Sequence, residues 1–510
     1  MSETIFYPSA DEGTASQSGI RFMLQWLESP PAENPAEELP SLRLHLRALR
    51  ELAPPSPQRA ALVDSLYQRS FNAIASVIPS LTHPVLPITG KARRTVRNVL
   101  ELLQALGDEL VTIQEIIDHQ PGTDDPRNSL ELVLWRSLQT LDHQLMVSHM
   151  TASPPPPGVW QQLHQTFAKA QACQVQDEIP PGGSSSIKQL YHAAVLLGCA
   201  QPASLTAREV VFLAAYFQRF ADRVDETTVA SFASDTDSDA AIFWIDPKND
   251  LPALAYRHNS PPVMAPYSIS FVRLQTLLNE QIAALESATP AQQLNLPAFA
   301  GKPAGLGVLR RLALRWAGSG KRRFSRRKQD ERTVLTAGLD GLWNLYQVGD
   351  SAEVQLSNWM ITNESPDGYA LMHLTGKTGT LSVGDIAAVR SSKTNNWQIG
   401  VVRWATSANP EHLEVGLQVL APTALAAKAV QPSAGQVAEH LPVLVLPALP
   451  RIRTRQLLIA AVGAIDKEQK KALLVVEKHN LAIREIKLTA IDEQTSSVEI
   501  LSIAPEDNPF

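Results

Sequence analysis

Seven of the twelve residues from Lys321 to Arg332 carry positive charge: Lys321, Arg322, Arg323, Arg326, Arg327, Lys328 and Arg332. Five of these are Arg, whose planar fork grips phosphate bidentately and whose face stacks on flat rings. The chain as a whole has 45 Lys+Arg against 51 Asp+Glu, a formal net charge of −6, so the run is a local exception. Its chemistry is attraction of an anion. A solvated linker, a phosphate-bearing ligand with flat bases, and nucleic acid or an anionic lipid surface are the three readings. Downstream lies Asn363-Glu364-Ser365-Pro366-Asp367-Gly368. Asn363 brings an amide, Ser365 a hydroxyl, and Gly368 either a plain turn or a close approach that a Cβ would block.

Enzyme signatures fail. Gly376-Lys377-Thr378 resembles the end of a phosphate-binding P-loop, but Leu371 stands where its first glycine belongs. Gly320-Lys321 is followed by Arg322 in place of Ser or Thr. His143 and His149 do not form the HExxH zinc pattern, and Asp235, Asp237 and Asp239 lack the Gly and Glu of a calcium loop. Two cysteines, Cys173 and Cys199, cannot frame 510 residues with disulfides and fit a reducing compartment. No apolar run approaches the length of a transmembrane helix, and the acidic start MSETIFYPSADEGTASQ is unlike a signal peptide. The expectation is a cytoplasmic binding protein without a cofactor or bound metal, not an enzyme.

The elements that would position these residues change along the chain. Apolar residues recur at helical spacing through Leu42–Leu49, Leu62–Ile78, Val96–Leu110 and Leu130–Met150, separated by prolines such as Pro54–Pro57 and Pro154–Pro157. Trp160–Cys173 and Ser186–Leu197 continue the pattern, and Thr206 with Glu209 reads as a capping box opening a further helix. Ile242–Ile245 is short and β-like; helical spacing returns over Ile269–Leu285 and Leu306–Trp316. Beyond Arg332 come short strand patterns at Val354–Ile361, Tyr369–Leu374, Ile386–Arg390, Trp397–Trp404 and Leu413–Leu420, then a second strand-like series over Leu441–Ile503 in which His479-Asn480 suits a hairpin turn. Trp404, inside a strand, reads as a core residue.

Taken together, the spacing RxxxR (Arg322 and Arg326, or in the other register Arg323 and Arg327), a strand region and [D/N]xSxxG (Asn363, Ser365 and Gly368) resembles the PilZ domain, a bacterial receptor module for cyclic di-GMP. Ile399–Trp404 and Glu414–Gln418 resemble its later strands, and the likeness covers roughly Lys321–Ala427. The resemblance implies a multidomain α-then-β chain: an all-α helical array, a PilZ-like antiparallel β-barrel and a further small C-terminal β region. The expected division is a flexible 1–40, a helical array over 41–316 with a candidate subdomain split at 151–158, a basic hinge loop at 317–332, the barrel at 333–430 and the C-terminal region at 436–510. The resemblance further implies that Arg322, Arg323, Arg326, Arg327, Asn363, Ser365 and Gly368 bind cyclic di-GMP, and that the helical half contacts protein partners. The alternatives are a scaffold whose PilZ region no longer binds nucleotide, and, ranked below it, a nucleic-acid-binding protein.

Overall fold

The computed structural model of the chain describes residues 12–52, 57–88, 90–119, 129–227, 242–255, 267–317, 325–349, 354–379, 381–391, 396–409, 412–431, 440–449, 453–466, 469–477 and 481–505. The helical half opens with α1 (Glu12–Glu28), α2 (Pro35–Leu52), α3 (Pro57–Val77) and α4 (Gly90–His119), followed by α5 (Leu130–Met150), α6 (Val159–Ala172), α7 (Ile187–Cys199) and α8 (Ala207–Phe220). The expected starts are physically sound. Ser129 caps α5, and Ser186/Gln189 and Thr206/Glu209 form complete capping boxes on α7 and α8, so the orphan amides of each first turn find acceptors. α4 buries a single stripe, including Val96, Val99, Leu103, Leu106 and Leu110. By contrast α5 is buried nearly all round, as a helix enclosed by its neighbours must be.

Three expectations for this half need correction. Residues 12–40 are not a flexible lead-in: α1 and the start of α2 occupy them, with Met23 and Leu39 fully buried. The prolines mark the joint between two helices. The turn at 151–158 does not divide subdomains, because one apolar core runs continuously through α2 to α8. Nor is 41–316 all-α. A four-stranded sheet, β1 (Asp225–Thr227), β2 (Ile242–Ile245), β3 (Leu254–Ala255) and β4 (Tyr267–Ser270), lies between α8 and α9 (Val272–Glu286) in the order β1-β4-β2-β3. α10 (Pro303–Trp316) completes the half.

The β half is two closed antiparallel barrels. The first contains β5 (Arg327–Ala337), β6 (Ser357–Ser365), β7 (Gly368–Thr375), β8 (Ile386–Ser391), β9 (Trp397–Asn409) and β10 (His412–Ala421). The second contains β11 (Leu425–Val430), β12 (Leu441–Leu446), β13 (Gln456–Ala461), β14 (Lys471–Glu477), β15 (Leu481–Gln494) and β16 (Val498–Pro505). The C-terminal β region is thus a closed barrel of its own, and the boundary moves: the first barrel runs over 327–421, and β11, expected within it, belongs to the second. The basic segment also changes character. From Arg327 onward it is strand, not hinge loop, with Arg327 opposite Glu364 and Lys328 opposite Asn363 on β6. Its charges lie on an exposed stretch, where a strand can hold cations in water while its backbone is paired. Residues 318–324 and 478–480, with Arg322, Arg323 and the expected His479-Asn480 turn, lie outside the described residues, although β14 and β15 do pair as far as Glu477 opposite Leu481.

The barrels pack side by side, and alternation along the strands says how. Ala387 and Val389 of β8 join the core of the first barrel, while Ile386 and Ala388 face a separate cluster shared with Leu444, Leu446, Leu457 and Ile459 of the second. Val443, Val445, Leu458 and Ala460 point the other way, into the second barrel. Strands covered on both faces must be apolar at successive positions, which accounts for runs such as Val443–Leu446. A helix absent from the sequence reading, α11 (Leu339–Val348), closes this seam with buried Leu342 and Leu345, and its Trp343 indole donates to the Ala427 carbonyl at 2.7 Å.

Candidate functional site

The turn between β6 and β7 is a tight hairpin in which Ser365 pairs with Gly368. The Ser365 hydroxyl donates to the Asp367 carboxylate at 2.6 Å, with the Gly368 carbonyl 3.2 Å away, so its bonds are spent within the turn. The Val419 amide donates to the Asp367 carbonyl at 2.9 Å and ties the turn to β10. Gly368 is there for proximity: a Cβ on it would lie 2.2 Å from the Leu417 carbonyl oxygen. β7 and β10 meet where only a bare backbone fits.

Beside this turn lies a cleft of about 200 Å³. Arg326, exposed just before β5, reaches it from one side, and Asn363, Ser365 and Gly368 form its floor with Glu364 and Asp367. The structure therefore brings four of the seven expected residues to one place. Arg327 is the exception among those described: it sits on β5 opposite Glu364 and does not line the cleft. Of the two Arg registers, the cleft takes a member of the Arg322/Arg326 pair.

The opposite wall was missed by sequence reasoning. It comes from β9 and β10 and contributes Arg403, Trp404 and Gln418. Trp404 is not core. It is half-buried and lies on Gly416, its direct antiparallel partner, where a Cβ would come 1.8 Å from the indole Nε1. A glycine inside a strand opposite an aromatic is the sequence signal for a ring laid flat on the sheet. Arg403 donates from Nε to Gln418 Oε1 at 2.7 Å, and both its terminal nitrogens contact the Glu493 carboxylate. Chemically, the cleft offers the Arg326 guanidinium to anionic or O6/N7-type acceptor groups, an amide and carboxylates to N–H donors, and an indole face to a flat ring, with a second guanidinium, that of Arg403, in its wall and held by Gln418 and Glu493. Among the described residues, no three His, Cys, Asp or Glu side chains converge to hold a metal ion.

Comparison with known proteins agrees with this architecture. Residues 21–228 match the family model described as Cyclic-di-GMP receptor FimW, N-terminal domain, and residues 344–425 match Cyclic-di-GMP receptor FimW, middle PilZ domain. The chain belongs to the PilZ-domain family of cyclic di-GMP receptors. It is similar to the Cyclic-di-GMP receptor FimW of Pseudomonas aeruginosa (strain PAO1), 22% identical over 522 residues that span 84% of this chain and 81% of that protein. The PilZ match covers β6–β10 and the second half of α11, with β5 and Arg326 lying upstream of it, and the N-terminal match takes in α2–α8 whole, across the turn at 151–158. Among the described residues, no helix of this PilZ protein is long and apolar enough to cross a membrane.

Proposed function

We propose that this chain binds cyclic di-GMP in the cleft beside the β6–β7 turn and transmits the event to protein contacts made by its helical half, without performing chemistry. The observation that carries the reading is the convergence of Arg326, Asn363, Arg403 and Trp404 around one turn of the PilZ barrel. Each has a role that the ligand's chemistry asks for. Cyclic di-GMP carries two phosphate charges and two guanines. Arg326, exposed and next to the cleft, and Arg403 on the opposite wall, once parted from Glu493, grip a phosphate or the O6/N7 edge of guanine bidentately. Asn363, with Glu364 or Asp367 beside it, accepts from the N1/N2 edge, which adenine lacks as a donor pair. Trp404 provides a stacking face. Ser365 and Gly368 serve indirectly, by fixing the turn and letting β10 approach.

Each charge-assisted bond contributes about 1.5–3 kcal/mol when well desolvated. Three or four offset the ordering costs sufficiently for micromolar binding, which needs about 8 kcal/mol. A nucleotide messenger places the receptor in the cytoplasm. Calorimetric titration of the full chain tests the reading. Wild type binds cyclic di-GMP in preference to cyclic di-AMP and GMP, and Arg326→Ala weakens it about tenfold. No heat with any nucleotide would favour a scaffold that works by protein contact alone. Tight, salt-sensitive binding of RNA or DNA instead would favour the nucleic-acid reading.

A further inference from the structure

Arg403 serves two cavities at once. Together with Trp404 it forms the wall between the cleft and a larger cavity of about 810 Å³. Three parts of the molecule meet around that second space: Arg311 and Arg315 of α10, Gly384 and Arg403 of the PilZ barrel, and Glu493 and Gln494 at the end of β15. The Arg403 guanidinium is already engaged. Nη2 donates to Glu493 Oε2 at 2.8 Å, Nη1 donates to Glu493 Oε1, and Nε donates to Gln418. This is the two-pronged grip that a guanidinium gives a phosphate, closed here on the protein's own carboxylate from the other barrel.

Glu493 is aimed there by an irregularity. The β15–β16 register shifts between Ile491 and Glu493, and such bulges turn side chains out of a strand's regular alternation. The next residue is the anchor for the helical half. The Gln494 carbonyl accepts from Arg311 Nη1 at 2.7 Å, and Gly307 packs so closely that a Cβ there would lie 2.5 Å from that oxygen. Arg311 Nη2 in turn donates to Glu209 at 2.6 Å, the buried residue that completes the capping box of α8. A continuous polar route thus joins Gln418 and Arg403 in the cleft, through Glu493 and Gln494, to α10 and α8.

We propose that Glu493 is an internal occupant of the arginine that the ligand needs, so that nucleotide binding and the Arg403–Glu493 contact between the barrels exclude each other. The inference rests on the cleft being the nucleotide site and says how that site is regulated. The two terminal nitrogens of Arg403 cannot grip the carboxylate and a phosphate oxygen pair together. With ligand bound, Arg403 turns to the cleft, and the Glu493–Gln494 segment loses its hold on the PilZ barrel at the point where α10 docks. The ligand can shift the two arrangements because it meets a free Arg403 in only one of them. Apparent affinity is lowered by the fraction of molecules in which the contact is closed.

The test is calorimetric titration of cyclic di-GMP into the full chain carrying Glu493→Gln, Arg403→Ala or both. Glu493→Ala serves as a second form of the first variant should Gln still hold the guanidinium. A part-exposed ion pair of this kind, worth up to about 1 kcal/mol, converts to a gain of about two- to fivefold in affinity when its carboxylate is removed. A gain cannot come from misfolding. Arg403→Ala weakens binding about tenfold, and adding Glu493→Gln to it gives no recovery, since the two residues act through one contact. Hydrogen exchange across 491–505 rises in wild type on adding ligand and is already raised in the ligand-free Glu493 variants. Unchanged or weaker binding in both Glu493 variants, or a gain that persists in the Arg403→Ala background, overturns the inference while leaving the site intact. Absence of binding by wild type and the Glu493 variants alike overturns the site and the inference with it.

Discussion

Gly416→Ala separates the stacking wall of the cleft from the fold that carries it. The added methyl would sit 1.8 Å from Trp404 Nε1, 2.3 Å from Cε2 and 2.4 Å from Cδ1. Carbon atoms rest at about 3.5–4.0 Å, so the indole must withdraw by about 2 Å from its place on β10. It is free to do so, because Trp404 is half-buried and borders open cavity on both sides. A base stacked on an aromatic contributes about 1–3 kcal/mol. Losing a good part of that weakens cyclic di-GMP about tenfold. The fold itself should change little, since alanine in a strand recovers some of the backbone entropy that glycine loses. Calorimetry gives the affinity, thermal melting gives the stability, and the Trp404 indole N–H resonance, assigned by loss in Trp404→Phe, reports whether the ring has moved. Wild-type affinity with a displaced indole would refute the claim that Trp404 contacts the ligand.

Gly368→Ala drives a methyl to 2.2 Å from the Leu417 carbonyl oxygen; backbone cannot swing aside as a side chain can, and a loss of about 2 kcal/mol in urea unfolding is expected. Ser365→Ala costs about 1 kcal/mol by releasing the turn bonds to Asp367 and Gly368, with less than about threefold change in nucleotide affinity by calorimetry, since the hydroxyl is spent within the turn. Asp385 has its carboxyl raised from 3.8 to about 6, chiefly by burial and against the lowering effect of bonds from Ser497 and the Ser382 amide. A folded-state value above the unfolded one means that its contribution to stability is full below about pH 4 and is lost as pH rises through 6. Asp385→Asn should therefore flatten the decline in melting temperature between pH 4 and 6 without changing the acid end.

The helices could be read from sequence because helical periodicity and proline breaks are local signals. α5, α6, α7 and α8 fall where the apolar spacing and the Thr206 cap put them, and Ser186 proves to cap α7 as well. The strands β6 to β10 are as clear, bounded by turn residues, although β9 runs on past Trp404 to Asn409. What failed is what depends on partners distant in sequence. α11 is a short run between Gly338 and Gly349 whose apolar residues make sense only between two barrels. β11 looks like one more strand of the first barrel, because a strand does not announce which sheet it joins. β5 begins in a charge run, and its polar alternation gives no hydrophobic period to detect. At the cleft, the motif residues Asn363, Ser365 and Gly368 lie within six positions of one another and can be read as a group, whereas Arg403 and Trp404 reach it only through the β9–β10 register. The same blindness hid Glu493, which lies in another barrel.

The most direct measurement is the crystal structure of the full chain grown with saturating cyclic di-GMP. Ligand density is expected beside the β6–β7 turn, with Arg326 and Arg403 on phosphate or guanine O6/N7, a purine against Trp404, and Glu493 parted from Arg403. Nucleotide bound elsewhere, or an empty cleft in crystals of protein that binds the ligand in solution, would contradict it.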